Sequence, residues 1–489
     1  MIHRLTTLFL AALSLAFTAI ASGEKTQPNI VYILCDDLGY GDVQILNPER
    51  GKIPTPSVDR LAKEGMIFTD AHSGSAVCTP TRYGLLTGRY SWRTHLQSGV
   101  VQGFAPCLIA KERPTVASFL KEHGYHTSVV GKWHLNFIYK NPETGEVLKR
   151  KGRRLPPVGS TIPDGPINRG FDYFHGFHHA GNMKAVIENT SVIKHEDEIN
   201  MLPRLTRKAV EYIDTRAKTA KDQPFFLYVP YGSPHTPIVP TEAWKGKSGI
   251  SNYADFVMET DAGVGEILDA LDRNNLTKNT LVIFTSDNGC SKAADIPELE
   301  KKGHHVSAHL RGSKADLWDG GHRVPFIVRW PGHVAAGSET GQLICLTDLF
   351  ATCAEILDNP LPEKSAEDSV SFLPALKEQP IVSTRKGVIH HSISGHFAYR
   401  QGKWKLLLAR SSGGWTAPKE NQVKKNAPIA QLYDMEADPS ETNNLYTSQP
   451  EIAAQLLKQL EADVTSGRST TGLAPKNDFA NIRLWKNKK

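Results

Sequence analysis

The sequence predicts an α/β protein with a large, mostly parallel β-sheet sandwiched by helices, followed by a smaller C-terminal domain with an antiparallel sheet and a helix. Short continuous apolar runs, such as residues 29–34, alternate with stretches of helical periodicity. Such runs are typical of strands buried on both faces of a parallel sheet. Beyond about Arg385, apolar and polar residues alternate, which predicts antiparallel strands.

The elements of the main domain, assigned to residues 23–385, follow in chain order. Strands are predicted at 29–34, 127–130, 224–229, 280–285 and 324–329. Helices are predicted at 57–65, 115–123, 205–219 and 252–273. The polar, Pro/Gly-rich stretch 140–166 predicts a long surface loop.

The C-terminal domain is assigned to residues 386–489. A hairpin is predicted over 396–408, with Gln401 and Gly402 at its turn, and a short strand over 431–433. Residues 438–444 predict a turn-rich loop, and 451–464 an amphipathic helix.

Composition excludes several classes of protein. The chain is 40% hydrophobic and 22% charged, which excludes a collagenous, low-complexity or mainly disordered protein. The formal net charge of +6 suits a polyanionic partner but is too small to indicate nucleic acid. After residue 25 no run of apolar residues is long enough to predict a membrane span.

Residues 1–22 predict a secretory signal peptide. His3 and Arg4 precede an apolar run over 8–20, and small residues stand at Ala19 and Ala21. The short run and its cleavage-like end favour a signal peptide over an N-terminal membrane anchor. The mature protein is therefore expected to be periplasmic or secreted, or lysosomal or extracellular in a eukaryote.

Six cysteines in an exported protein would normally suggest disulfides. Their positions argue otherwise, because Cys35 and Cys290 lie beside acidic residues at strand ends and a core of this size needs no cross-links. Cys345 and Cys353 allow one bridge without requiring it.

Polar side chains follow four of the predicted strands. In open α/β sheets, ligands bind at the carboxyl ends of the strands. The residues at these ends are Asp36 and Asp37, Lys132 and His134, His235, and Asp287 and Asn288.

Two of these strand ends predict a metal site. Asp36, Asp37, Asp287 and Asn288 offer hard oxygen ligands, which suit Ca²⁺ or Mg²⁺ rather than zinc. The alternative is ordinary turn chemistry at both places. The occurrence of both pairs directly after buried strands favours the metal site.

Residues 78–82, Cys-Thr-Pro-Thr-Arg, predict the start of a helix. Pro80 suits the first turn, and the helix-start amides favour an anion at Cys78. Two interpretations stay open from the residues alone. Cys78 is either a buried structural thiol or a nucleophile whose pKa is lowered by the helix terminus and Arg82.

The segment from Cys78 to Arg89 resembles the C-x-P-x-R…T-G-R signature of the formylglycine-dependent (type I) sulfatases, members of the alkaline phosphatase superfamily. Further segments match the family in order and extend the resemblance over nearly the whole mature chain: 36–42, 131–134, 233–237, 286–289 and 311–314. The Glu-Gly-Gly of many members is Asp319-Gly320-Gly321 here, a conservative departure. The resemblance implies an alkaline-phosphatase-like fold, with the catalytic sulfatase domain at 23–385.

The resemblance also implies a modified residue and a metal ion. A separate formylglycine-generating enzyme would oxidise Cys78 to Cα-formylglycine. One Ca²⁺, with Mg²⁺ less favoured, would be held by Asp36, Asp37, Asp287, Asn288 and an oxygen of the modified Cys78.

The resemblance implies roles for six catalytic residues, counting Cys78 itself. Lys132 and Lys314 would bind sulfate oxygens, and Arg82 and His134 would contact the formylglycine hydroxyls. His134 is the candidate base. His235, with help from Lys314, is the candidate acid that protonates the departing alcohol.

Two histidine-rich clusters are predicted to form a polar, partly cationic rim that binds sugar hydroxyls or neighbouring sulfates. Solvated loop residues are the alternative for both, as they are for the basic run 149–154. The first cluster is His175, His178 and His179, and the second is His304, His305, His309 and Arg311.

The predicted function is hydrolysis of a sulfate monoester on a sulfated carbohydrate or polysaccharide, with no nucleic-acid partner and no membrane span. A formylglycine-dependent phosphonate monoester or phosphodiester hydrolase is one alternative. A catalytically silent, calcium-dependent glycan-binding protein is another, although every chemical position is intact.

Overall fold

The computed structural model describes residues 27–149, 154–473 and 475–486. The predicted signal peptide and the centre of the basic run at 149–154 lie outside these residues. Within the described ranges, no helix has both the length and the apolar character needed to cross a membrane.

Sixteen strands and nine helices form the described part of the chain. The strands are β1 Asn29–Asp36, β2 Met66–Phe68, β3 Ala71–His72, β4 His126–Lys132, β5 Tyr173–Phe177, β6 Ala185–Glu188, β7 Ser191–His195, β8 Phe225–Pro234, β9 Thr280–Ser286, β10 Phe326–Arg329, β11 Ser338–Thr340, β12 Ile344–Cys345, β13 Val388–His391, β14 Phe397–Gln401, β15 Trp404–Leu407 and β16 Gln431–Asp434. The helices are α1 Pro56–Lys63, α2 Cys78–Thr87, α3 Val116–Glu122, α4 Met201–Thr219, α5 Asn252–Arg273, α6 Ile296–Lys301, α7 Leu349–Ile356, α8 Leu373–Leu376 and α9 Pro450–Thr465.

Ten strands form one large mixed sheet in the order β11-β2-β10-β9-β1-β8-β4-β5-β6-β7. Its centre, from β9 to β5, is parallel. The ends carry antiparallel pairs: β10 pairs with β9 and β2, and β6 pairs with β5 and β7. The predicted fold class is therefore confirmed.

The central strand β1 separates two apolar cores. Its residues are all buried, and because successive side chains of a strand point to opposite faces, alternate residues enter different cores. Ile30 and Tyr32 pack on the side of α2, α3 and α7. Val31 and Ile33 pack on the side of α1, α4 and α5. A strand covered on both faces needs an unbroken apolar run, which is why the sequence predicts β1 clearly.

The smaller sheet is antiparallel, in the order β13-β14-β15-β16. Leu456 and Leu460 of α9 pack against Phe397 and Leu406 of this sheet. The hairpin register pairs Gln401 with Trp404, so its turn lies one residue later than predicted. The domain boundary at residue 385 stays a prediction.

None of the six cysteines, all of which lie in the described ranges, forms a disulfide. Cys345 and Cys353 are both buried and unbridged. The size of the two cores explains why the fold does not need cross-links.

Candidate active site

The site lies at one edge of the large sheet, where four parallel strands end. Because β9, β1, β8 and β4 are adjacent and run in the same direction, the loops that follow them meet. The last strand residues and these loops carry the site residues: Asp36 and Asp37, Lys132 and His134, His235, and Asp287 and Asn288. The structure thus brings Asp37 and Asn288, which lie 251 positions apart in the chain, into direct contact.

The carboxylates and the amide contact one another directly. The Asn288 side-chain amide donates to Asp37 Oδ1 at 2.8 Å, and the Asp37 backbone N–H donates to Asp287 Oδ1 at 3.3 Å. The Cys78 thiol donates to Asp36 Oδ1 at 3.3 Å. All five residues are buried. Asp37 has a φ of 67°, a left-handed conformation that Asp tolerates better than most residues.

Three buried cations balance the three carboxylates. Arg82 donates through Nη2 and Nε to Asp287 Oδ2 at 2.7 and 3.0 Å. Lys132 Nζ donates to Asp36 Oδ2 at 2.5 Å. Lys314 Nζ donates to Asp37 Oδ1 and lies 3.5 Å from the Cys78 sulfur. Both ammonium groups therefore lie within reach of whatever binds at position 78.

Burial and charge act in opposite directions on the site carboxyls. Burial alone would raise the pKa of Asp36, but Lys132, His235 and Arg82 outweigh it and hold that pKa well below its usual range. Burial, and then the negative charge of Asp36, raise the pKa of Asp287 to about 7. Mutual repulsion of buried carboxylates is relieved when a cation binds between them.

The donor set fits a hard divalent cation. Asp36, Asp37, Asp287 and Asn288 supply oxygens, the ligands that Ca²⁺ and Mg²⁺ prefer. Asn288 Oδ1 is buried and has no hydrogen-bond partner in the described structure, which leaves one amide oxygen available as a ligand.

Cys78 is the first residue of α2, and the thiol has the environment of a neutral group. Burial, followed by Asp287 and Asp36, raises the pKa of the Cys78 thiol. The hypothesis that the helix terminus lowers this pKa is therefore wrong for the unmodified residue. Desolvation and two nearby carboxylates dominate over the helix amides and the lysines.

His134 presents an unused ring nitrogen. Its Nε2 lies 3.0 Å from the carbonyl oxygen of Val101, which only accepts, so Nε2 carries the proton. Nδ1 is then a lone pair, buried and without a hydrogen-bond partner in the described residues. Burial, and then Lys132, lower the pKa of His134 well below 6.5. The ring is neutral and able to accept a proton at Nδ1.

His235 lies on the more open side of the site. Its Nε2 is 3.7 Å from Asp37 Oδ2, and its side chain is 19% exposed. Its Nδ1 lies 2.6 Å from the carbonyl oxygen of Thr236, which places a proton on Nδ1 and directs Nε2 toward the site.

The first histidine cluster does not form an open rim. His175 is fully buried in β5, with Nδ1 3.6 Å from Glu188 Oε1, so its predicted substrate contact is wrong. His178 and His179 are also buried and pack around the His134 ring, with His179 stacked at 5.7 Å between ring centroids. This packing, which the sequence did not predict, restricts the orientation of His134.

The second cluster divides into two parts. His304 is fully buried, with Nε2 2.8 Å from Asp42 Oδ1, and Arg311 stacks on Trp318 with its guanidinium carbon 3.6 Å from the ring centroid. His304 forms no part of a solvent-exposed rim, so its predicted rim role is wrong, whereas Arg311 is half-buried and its predicted rim role stays a prediction. His305 and His309 lie on the surface beside the site.

Replacing His304 is expected to affect stability. His304→Ala leaves the Asp42 carboxylate without this partner and opens a cavity, so we expect the free energy of unfolding to fall by about 2–4 kcal/mol. Urea denaturation followed by circular dichroism measures the change. The exposed His309→Ala should change the same free energy by less than about 0.5 kcal/mol. Equal effects of the two variants would contradict the structural role of His304.

A supporting network behind the Asp36–Asp37 turn was missed by sequence reasoning. The hydroxyl of Tyr253, near the start of α5, donates to Asp42 Oδ2 at 2.5 Å and lies 3.3 Å from the Asp37 carbonyl oxygen. Ser286 Oγ accepts from the Leu38 backbone N–H at 3.1 Å. Asp42 lies in the segment 36–42, which matches the family, but nothing near Tyr253 in the sequence indicates the role of Tyr253.

Comparison with known proteins agrees with this geometry. Residues 28–359 match the family model described as Sulfatase, and residues 313–468 match N-sulphoglucosamine sulphohydrolase, C-terminal. The chain belongs to the sulfatase family of the alkaline phosphatase superfamily. It is a sulfuric ester hydrolase.

Individual relatives cover almost the whole chain. An N-acetylgalactosamine-6-O-sulfatase of Bacteroides thetaiotaomicron is 33% identical, over 90% of this chain and 94% of the relative. The N-acetylgalactosamine-6-sulfatase of Rattus norvegicus is 28% identical, over 93% of this chain and 89% of the relative. A protein solved in work on the metabolism of multiple glycosaminoglycans by B. thetaiotaomicron is 30% identical, with a TM-score of 0.77, over 89% of this chain and 99% of that one.

Proposed function

We propose that this protein removes sulfate from a sulfated carbohydrate, with Cys78 converted to formylglycine and one Ca²⁺ bound by Asp36, Asp37, Asp287 and Asn288. One observation carries the proposal. The Cys78 sulfur lies 3.3 Å from Asp36 Oδ1 and 3.5 Å from Lys314 Nζ, at the point where the candidate metal ligands and the sulfate-binding cations meet. The similarity to hexosamine 6-sulfatases supports a 6-O-sulfated N-acetylhexosamine as the first substrate to test.

Maturation requires two events in this proposal. A formylglycine-generating enzyme oxidises Cys78, and export delivers the chain to the periplasm, the medium or a lysosome, in keeping with the signal peptide predicted at residues 1–22. Held by Asp36, Asp37, Asp287 and Asn288, Ca²⁺ would supply a Lewis acid for a sulfate oxygen, and formylglycine at position 78 would supply a hydroxyl nucleophile.

The chain's own cations neutralise the sulfate group. Burial alone would lower the pKa of Lys314, but the nearby carboxylates, Asp37 first and then Asp36 and Asp287, outweigh it and raise that pKa, so the ammonium stays charged. Lys132 and Lys314 flank position 78, and both bind the negatively charged sulfate oxygens. In a buried site such preorganised charge stabilises the transition state by several kcal/mol. Arg82 donates a hydrogen bond to Asp287, and its positive charge offsets part of the negative charge of the site carboxylates.

Two histidines move the protons. His134 accepts a proton from a hydroxyl of the modified residue 78. The accepting atom is Nδ1, because the hydrogen bond to Val101 uses Nε2 and leaves Nδ1 free. His235 donates a proton from Nε2 to the departing alcohol, because it is the histidine of the site that faces the open side.

The effect of His235→Gln is expected to depend on the leaving group. A sugar alkoxide needs protonation and a nitrophenolate does not, so sulfate release from a sugar should fall about 100-fold and release from nitrophenyl sulfate far less. Burial lowers the pKa of His235 from 6.5 despite Asp37. The acid form is therefore lost as pH rises through that lowered pKa, and the variant should lack this fall in rate on sugar sulfate. Steady-state rates on both substrates across pH provide the measurement. An equal loss on the two substrates would remove His235 from the acid role.

Released sulfate from a panel of defined sulfated mono- and oligosaccharides tests the proposed function. The panel includes 6-O-sulfated N-acetylgalactosamine, with an aryl phosphonate ester as the competing substrate class. Mass spectrometry of the peptide containing Cys78 establishes the extent of conversion. Fully converted protein that releases no sulfate from any sugar would contradict the proposal, and faster turnover of the phosphonate would favour the other hydrolase class.

A further inference from the structure

A groove of about 390 Å³ lies beside the site and has no role in the chemistry described so far. We call it the Trp415 groove. Its wall includes Lys292, Glu300, the segment 305–310, Ser313 and Trp415.

The chain path places this groove next to the reacting centre. The polypeptide leaves the site after Asn288 and returns to it at Lys314, and most of the groove is built from the segment between these two residues. The return is fixed by the Lys314 backbone N–H, which donates to the Cys290 carbonyl oxygen at 2.9 Å. Ser313, which lines the groove, is the residue directly before Lys314.

The C-terminal part of the chain completes the groove. Asp316 Oδ1 accepts from the backbone N–H groups of Trp415 and Thr416 at 2.8 and 3.0 Å. Because Asp316 lies two residues after Lys314, the backbone of Trp415 is tied to the same loop that carries the sulfate-binding ammonium group.

The groove combines an aromatic face with positive charge. Lys292 is exposed, and its ammonium lies 4.9 Å from the centroid of the Trp415 ring. Arg50 and Lys292 are the cationic lining residues within the described chain, and Glu300 is the acidic one. An indole face covers the apolar C–H face of a sugar ring, while a neighbouring ammonium pairs with an anionic substituent on it.

We propose that the Trp415 groove binds the sugar adjacent to the one that carries the scissile sulfate, and that it selects an adjacent sugar with a carboxylate or a second sulfate. This inference rests on the proposed function and deepens it, because it makes the substrate an anionic oligosaccharide rather than a single sulfated sugar. Trp415 supplies the stacking surface and Lys292 the charge.

Kinetics on matched substrates test the proposal. The substrates are a sulfated disaccharide with a uronate neighbour, one with a sulfated neighbour, one with a neutral neighbour, and nitrophenyl sulfate. In wild-type protein, kcat/KM relative to nitrophenyl sulfate should be highest for the anionic neighbours, and the first two substrates reveal which anion is preferred. Trp415→Ala should lower this ratio about tenfold through KM. Lys292→Gln should lower it about threefold, for anionic neighbours only.

The hairpin of the second sheet offers matched controls. Lys403 lies 5.0 Å from the ring centroid of Trp404, outside the groove, so Lys403→Gln and Trp404→Ala make the same changes elsewhere. Both should keep the wild-type ratio. Thermal unfolding shows whether the Trp415→Ala protein is folded. If it is not, Lys292→Gln still tests the groove, because Lys292 is exposed.

The outcomes separate the two proposals. The proposed role of the groove would be overturned if both groove variants kept the wild-type ratio of kcat/KM values. It would also be overturned if Lys292→Gln lowered that ratio equally for neutral and anionic neighbours. A wild-type protein that hydrolyses none of the sugar sulfates would instead overturn the proposed function.

Discussion

Cys78→Ala is expected to abolish sulfate release, with a loss on the order of 10⁴-fold or more, the range seen when a covalent nucleophile is removed. Alanine has no sulfur to oxidise, so no formylglycine can form and no hydroxyl stands between Asp36 and Lys314. The other site residues stay in place, because the Cys78 thiol contributes one weak hydrogen bond and little volume.

The measurement is released sulfate, accompanied by thermal unfolding and calcium titration of the same sample. Cys107→Ala is the matched control, since Cys107 is half-buried and outside the site. It should retain full activity. If Cys78→Ala unfolds the protein without a specific loss of turnover, Cys78 is a structural thiol, and substantial activity in a folded Cys78→Ala protein would contradict the mechanism.

Asp287→Asn is expected to weaken calcium binding and activity together, with activity falling about 10³-fold, equivalent to several kcal/mol of transition-state stabilisation. The change removes one of three carboxylate charges from the candidate metal site. It also removes the charged partner of Arg82, whose Nη2 then has Asp36 Oδ1 at 3.6 Å as its remaining ion pair. A buried guanidinium that loses its partner also destabilises the fold by about 3 kcal/mol.

Calcium affinity by calorimetry and sulfate release, both measured on folded protein, test this expectation. Asp295→Asn is the control, because Asp295 is exposed and its left-handed backbone, with a φ of 58°, also suits Asn. Excess calcium should restore part of the activity of Asp287→Asn. Full wild-type activity after chelation would remove the metal from the mechanism.

The large elements were predictable because a buried strand or helix shows its burial in the local pattern of apolar residues. The strands β1, β8 and β9 are covered on both faces, which requires the continuous apolar runs that they carry. The helix α5 was predicted with the bounds that the structure has, Asn252–Arg273, because its length sustains a helical period.

The edges of the sheet were not predictable in the same way. β5, with the residues YFHGF, shows neither alternation nor a continuous apolar run, and β6 and β7 are four- and five-residue strands. β5 pairs with β4, and β6 and β7 follow outside it, so the placement of each strand depends on the strand before it in the sheet. The antiparallel direction of β10 is likewise a property of its partners, β9 and β2, rather than of its own residues.

The residues of the site also fall into a group that the sequence predicts and a group that it does not. The residues at strand ends were predicted, since a parallel sheet gathers its carboxyl ends at one edge whatever the loops do. The histidine clusters were misjudged because loop burial depends on distant partners. His304 bonds to Asp42, which is 262 residues away, and a sequence pattern does not register such a contact.

By itself, the sequence determined the parallel centre of the sheet, the order of the motifs, and the residues that meet at its edge, because hydrophobic periodicity and strand direction act over short stretches. The tertiary structure alone decided which histidines are buried supports, how His134 is held with one nitrogen free, and that the Trp415 backbone bonds to Asp316, two residues after Lys314. These features depend on contacts between segments that lie from 33 to 262 residues apart in the chain, where packing and desolvation, rather than local pattern, set the outcome.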